Sequence, residues 1–411
     1  MIFQPLFGLL LLLFLCWLSS EKRSRIGWRI PAVGLALQFL LAFTLIKLPV
    51  LQESFLALNQ VLSALQEATN AGTSFVFGFI GGSDLPYEEQ PGKSSFILAF
   101  RALPLILIMS ALSALLFHWR ILPWIVKLFS LFLQKTLGIG GALGLGAAAN
   151  IFIGMVESPL LVRPYLSRLS RAELFALMTC GMATIAGTVM VLYASILNQV
   201  LPNAMGHLLT ASLISAPAAI MVARMMVPET REGAGAAGEL VMEPAKGAMD
   251  AITKGTLDGL RLLLDIVAIL IVFVALVALV NQILAGLGSP SFQELLGFIM
   301  IPIVWAMGIP WEEAHGAGML MGTKIVLNEL MAYLEMSALP PGVLSERSTL
   351  IMTYALCGFA NFGSLGITIA GMGAMVPHRR QEIVGLGMKS IVAGTLATCL
   401  TGTVVGIVTL A

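Results

Sequence analysis

Two glutamates stand in apolar surroundings, Glu157 in IFIGMVESPLL and Glu329 in GTKIVLNELMAY. A carboxylate in a membrane-spanning segment costs on the order of 2.5–3.5 kcal/mol by insertion scales, so each needs a wet cavity, a donor or a cation. An ion pair between Lys324 and Glu329 is the bland alternative, but their spacing of five puts them on different faces of a continuous helix. Asn361 and Ser364 are three apart and share a helix face, where amide and hydroxyl groups would suit the hydroxyls of a sugar. A Ser364 hydroxyl bonded to its own helix carbonyl is equally open, and Phe359 could pack against a flat ring. Asn150, at the expected tip of a hairpin, and Thr184, at a glycine-flanked point of the next span, add oxygens of the kind a small hard cation requires. The two glutamates could also act as acid and base in a membrane enzyme. However, no GxSxG, P-loop or HExxH accompanies them, and the histidines (His118, His207, His315, His378) have no partner at metal-ligand spacing.

The elements that position these groups follow from composition. Of 411 residues, 58% are hydrophobic and 11% charged, against about 25% charged in a soluble domain. Lipid must therefore solvate most of the exterior. A formal charge of +1 leaves no basic excess for nucleic acid. Cys16, Cys180, Cys357 and Cys399 lie in apolar stretches without CxxC spacing and read as small core residues. The apolar start is followed by Lys22, Arg23, Arg25 and Arg29, the reverse of a cleavable signal, and reads as a retained first span.

Runs of about 20 apolar residues can cross a bilayer as helices. Such runs fall at 2–19, 30–49, 95–117, 173–198, 206–227, 261–285, 349–374 and 385–410. Two more, 121–166 and 292–336, are interrupted by glycine, proline and charge and fit re-entrant hairpins. Leu51 to Leu65 and Ala245 to Leu260 look like interfacial helices, and Gly233 to Gly238 like a flexible linker. Basic clusters at Lys22 to Arg29, Arg163 to Arg171, Arg224 to Arg231 and Arg379–Arg380 then all face the cytoplasm. The acidic loop 50–93, with Glu53, Glu67, Asp84, Glu88 and Glu89, and both termini face outward. CGMATIAGTV (Cys180 to Val189) matches CGFANFGSLG (Cys357 to Gly366), and each follows a glutamate-bearing hairpin. An inverted repeat of interrupted helices is the architecture of many secondary transporters. Four blocks result: scaffold helices with the external loop (1–118), first hairpin and transport-core repeat (119–228), cytoplasmic linker with interfacial helix and sixth span (229–290), and second hairpin and repeat (291–411).

These pieces resemble the concentrative nucleoside transporter family over nearly the whole chain. The carrying motifs are NIFIGMVESPLLVRPYL (Asn150 to Leu166), AMDAITKGTLDGL (Ala248 to Leu260), GTKIVLNELMAY (Gly322 to Tyr333) and CGFANFGSLGI (Cys357 to Ile367). The resemblance implies an all-α membrane protein of eight spans and two re-entrant hairpins. It also implies a homotrimer in the inner membrane that is not an enzyme and has no cofactor. Such a protein imports nucleosides with sodium or protons by an elevator-like motion of the hairpin domain. By matching motif, Glu157 would bind substrate, Glu329, Asn361 and Ser364 would hold the ribose hydroxyls, and Val189 and Phe359 would flank the base. Asn150, Ile153, Thr184 and Ile185 would match a sodium site, with Thr184 in place of the usual serine. Where similar proteins read GQTE, this chain reads GMVE, so Met155 and Val156 replace groups that contact the base edge. Leu143 and Met319 stand where many relatives carry acids. The expected base pocket is therefore more apolar, and a modified nucleoside or another polyol-bearing solute stays open as cargo.

Overall fold

Lipid offers backbone groups no hydrogen-bond partner, so a chain of this composition must satisfy them within its own helices. The computed structural model describes residues 3–87, 95–155, 157–230 and 245–410, with backbone alone for 49–59. All regular elements among them are helical. Glu88, Glu89, Val156, Arg231 and the 233–238 linker lie outside the described residues, as do the side chains of Leu51, Glu53, Phe55 and Leu58.

Helices occupy all eight expected span positions. Phe3–Leu18, Arg29–Lys47, Ala204–Met226 and Arg380–Val408 are unbroken, and a further span runs through Leu98–Arg101 and Leu105–His118. Two spans are divided, into Arg171–Ala183 with Gly187–Leu197 and into Glu346–Leu356 with Phe362–Met375. The remaining one, the sixth in chain order, is Ala248–Gly286, one helix of 39 residues. This corrects the expectation of a separate interfacial helix ending near Leu260. At 1.5 Å per residue it is roughly 58 Å long, almost twice a bilayer core. Gly255 and Gly259 do not stop it, because they serve contact: a Cβ at Gly255 would lie 2.6 Å from the Ser110 carbonyl oxygen, and one at Gly259 2.8 Å from Ser110 Cβ. Small residues of this kind let two helices approach closely where no hydrophobic drive separates protein from lipid. The segment 50–93 likewise holds a 29-residue helix, Pro49–Phe77, longer than the Leu51 to Leu65 face suggested.

The hairpins are shorter than the interrupted runs. Ile121–Leu137 is a separate helix that turns at Gly138, φ 64°, and the re-entrant arms are Gly141–Phe152 and Glu157–Leu161 continued by Arg163–Leu166. Phe292–Ala306 is its counterpart, and the second hairpin joins Trp311–Val326 to Glu329–Ser337. Each half thus runs leading helix, inward arm, outward arm, divided span and long span. The arm Gly141–Phe152 is buried over ten of its twelve residues, which its glycines and alanines permit.

The two divided spans meet at their interruptions. A Cβ on Gly358 would lie 2.9 Å from the Met182 carbonyl oxygen, and where the first divided span crosses the first hairpin arm, one on Gly187 would lie 2.6 Å from the Phe152 carbonyl oxygen. Both crossings therefore require glycine.

On one face the ends of several spans gather. Arg171 pairs with Glu21 at 3.0 Å, Lys389 with Glu21 at 2.9 Å, and Arg224 with Glu229 at 2.7 Å. Arg379 donates to the carbonyls of Leu166 and Leu169. The Arg171 guanidinium holds the Glu21 carboxyl below the ordinary carboxylate range. The exposed Arg171–Glu21 pair contributes little energy, but these contacts place Arg171, Arg224 and Arg379, from three of the four basic clusters, at span ends on the side of Glu21, which adjoins the first cluster.

Gly255→Val should force the Leu105–His118 and Ala248–Gly286 helices apart. Thermal melts of the detergent-purified variant are expected to show a loss of about 1–3 kcal/mol, the usual range for overpacking.

Candidate functional site

Four helices begin around one cavity: Glu157–Leu161, Gly187–Leu197, Glu329–Ser337 and Phe362–Met375. Their first-turn N–H groups carry partial positive charge and have no partner within the helix. Glu157 and Glu329 are the first residues of two of them, where a carboxylate is favoured. The turn before Glu157 depends on Gly154, at φ 130°, where a Cβ would lie 2.8 Å from Glu157 Oε2. Asn328 caps the Glu329 helix by accepting from Met331 N at 2.9 Å. Asn361 caps the fourth, its Oδ1 accepting from Ser364 N at 2.7 Å. The two residues are thus neighbours through a cap rather than through a shared helix face.

Glu329 is 3% exposed, and each of its carboxylate oxygens accepts a hydrogen bond. Tyr193 donates its hydroxyl to Oε1 at 2.6 Å, and Asn361 donates its amide to Oε2 at 3.0 Å. Tyr193 comes from the first divided span and Asn361 from the second, so both repeats grip one carboxylate. Lys324 takes no part as a direct partner. The helix ends at Val326, and Lys324 donates instead to the Ala355 carbonyl and to Thr398.

The cavity opens at a mouth, and about 850 Å³ of non-atom space lies in it when the solvent at that mouth is included. Met155, Glu157, Val189, Glu329, Phe359, Asn361 and Ser364 all line it. Thr188, Tyr193 and Asn328 line it as well and were not singled out from sequence. Asn328 had a signal, since an asparagine directly before a first-turn glutamate is a helix-start pattern. Tyr193 had none that separates it from a packing aromatic. The opposite wall is Leu262, Ile266, Ile269 and Leu270, one face of the long helix. Met155 faces Thr368, whose Oγ1 lies 3.8 Å from its sulfur.

Asn150 and Thr184 also come together, behind the first tip. Asn150 sits in the last turn of the inward arm, and the turn at the tip begins only at Ile153, with Gly154 and Met155 following, a shift from the expected position. Its amide donates to Thr184 Oγ1 at 2.8 Å, and that hydroxyl donates to the Cys180 carbonyl at 2.9 Å. Asn150 Oδ1 is buried and has no hydrogen-bond partner. An orphaned oxygen between two helix C-termini, at Phe152 and Ala183, fits a small cation: ends of that polarity are partially negative and leave carbonyls free. Ile153 and Ile185 flank these ends, the first lining the cavity and the second fully buried. Among the described residues no cluster of three His, Cys, Asp or Glu could hold a metal.

Interrupted helices in two inverted copies around a polar chamber define a secondary transporter. Comparison with known proteins narrows the class. The family described as "Na+ dependent nucleoside transporter" matches through its N-terminus over residues 7–80 and its C-terminus over 207–406. A "Nucleoside recognition" gate family matches residues 99–200. The chain is 33% identical to the nucleoside permease NupC of Helicobacter pylori, over 99% of this chain and 98% of that one. It is 36% identical to the uncharacterized transporter YutK of Bacillus subtilis, over 98% of both. Human solute carrier family 28 member 3 is 34% identical over 97% of this chain and 59% of its own length. The structure of CNTnw in an inward-facing substrate-bound state superposes with a TM-score of 0.90 at 34% identity, over 99% of both chains. The chain belongs to the concentrative nucleoside transporter family, whose members are multi-pass membrane transporters and not enzymes.

Tyr193→Phe removes a donor from a buried carboxylate and leaves Glu329 Oε1 unpaired. A destabilisation of about 1–3 kcal/mol is expected, read as a lowered melting temperature relative to wild type.

Proposed function

We propose that this protein imports nucleosides across the cell inner membrane by symport with sodium, working as a homotrimer. The observation that carries the reading is the Glu329 network. A carboxylate, an amide and a hydroxyl-bearing residue stand together at a cavity wall formed by helix starts. Ribose presents vicinal hydroxyls that can donate to Glu329 and exchange hydrogen bonds with Asn361 and Ser364. Glu157 reaches the same space from the first hairpin. Val189 and Phe359 supply apolar surface for a flat base. Sodium would be held by Asn150 and Thr184 oxygens with the Ile153 and Ile185 carbonyls, tying the first hairpin tip to the first divided span. Membership in a sodium-dependent nucleoside transporter family supports both halves of the reading.

A second reading of the cargo rests on Met155. Its thioether, facing Thr368, offers the base edge no hydrogen-bond donor and a weak acceptor. A less polar or modified base then competes on equal terms with an ordinary one, and competition by uridine, adenosine and free ribose separates the possibilities. Proton coupling is separated from sodium coupling by the ion test below.

Hydrogen bonds to a charged group contribute roughly 1.5–3 kcal/mol. Glu329→Ala should therefore lower nucleoside uptake into proteoliposomes by about tenfold to a hundredfold; wild-type uptake would remove the sugar grip. Replacing sodium by choline at fixed pH should abolish accumulation, and Asn150→Leu should do the same in sodium. Accumulation that is indifferent to choline would exclude sodium as the coupling ion.

A further inference from the structure

Lys324 is the buried charge that this reading leaves unused. It is 0% exposed within the second repeat. An ammonium taken from water into a protein interior costs several kcal/mol unless its surroundings restore what water gave. Among the described residues it forms no ion pair with a carboxylate. Its Nζ donates to the Ala355 carbonyl at 2.8 Å and to Thr398 Oγ1 at 3.0 Å. A carbonyl and a threonine hydroxyl are also the neutral oxygens that coordinate a small hard cation.

The position of this cradle in the repeat identifies its counterpart. Lys324 is third from the end of the inward arm Trp311–Val326, and Asn150 is third from the end of Gly141–Phe152. Each reaches the end of the first half of the divided span that follows. Asn150 meets Thr184, directly after Arg171–Ala183; Lys324 meets Ala355, the penultimate residue of Glu346–Leu356. The long span of each repeat adds a hydroxyl. Thr398 comes from Arg380–Val408, and Ser212, from Ala204–Met226, lies 3.5 Å from Ile185 N. In one repeat the arm carries a neutral amide with an orphaned oxygen; in the other it carries a positive charge.

Resting on the sodium reading of Asn150, we infer that Lys324 is a tethered cation. It permanently fills the second repeat's counterpart of the first hairpin's sodium site. The cavity's charged lining residues, Glu157 and Glu329, are both acidic. One tethered and one mobile positive charge then balance the two carboxylates, so a fold with two symmetric sites couples to a single sodium.

The test counts sodium. Purified protein in nanodiscs is equilibrated with labelled sodium and saturating uridine, and uptake is titrated with sodium in proteoliposomes. Lys324→Asn, which copies the first repeat, should double the bound sodium and raise the Hill coefficient from about 1 toward about 2. Lys324→Arg should keep the wild-type count, and Asn150→Leu added to Lys324→Asn should return the count to that of wild type. A folded Lys324→Asn protein that binds no more sodium than wild type would overturn the inference. So would failure of both Lys324→Asn and Lys324→Met to fold in saturating sodium, since a cradle able to take a free ion would be filled there. A wild-type protein that binds no sodium at all would instead overturn the underlying ion reading, and this inference with it.

Discussion

Burying one carboxylate without losing its hydrogen bonds is the requirement from which the rest of this architecture follows. Glu329 cannot be satisfied by its own hairpin alone. It draws a phenol from the first divided span and an amide from the second, and it begins a helix whose N–H groups favour negative charge. Those donors can arrive together only if both divided spans stop and restart at the same depth. That in turn forces their interruptions into contact, and Gly358 sits where any larger residue would strike the Met182 carbonyl of the other divided span. This glycine is thus a consequence of the carboxylate at one remove.

The two repeats solve the same backbone problem with different side chains. In each, an inward arm ends against the end of a half-helix, where carbonyls gather. The first repeat leaves an oxygen unsatisfied at Asn150, and the second brings an ammonium at Lys324. The hairpin tips differ as well. The first turns on Gly154 with a positive φ, and the second passes through Leu327 into an asparagine cap. Symmetry of fold does not carry over into symmetry of chemistry.

Much of this was readable from sequence because polar residues inside apolar runs stand out against a strong background. Glu157, Glu329, Asn361 and Ser364 could be singled out on that basis, and the structure sets all four on the wall of one cavity. Tyr193 could not, since an aromatic within a span reads the same whether it packs or donates. Lys324 was correctly separated from Glu329 by spacing, yet the actual reason is a helix end at Val326, which local periodicity does not mark. Hairpin lengths were overestimated because Ile121–Leu137 and Phe292–Ala306 are as apolar as the arms beside them. The unity of Ala248–Gly286 was hidden for the opposite reason. Glycines usually signal termination, and here they mark close approach to Leu105–His118.

The long helix meets the cavity with nothing but hydrocarbon. Leu262, Ile266, Ile269 and Leu270 face a wall whose hydrogen-bonding groups all belong to the hairpins and divided spans. A solute held there is anchored on one side and merely wetted by dispersion on the other. Sliding the polar body along that smooth flank would break no directional bond across the divide.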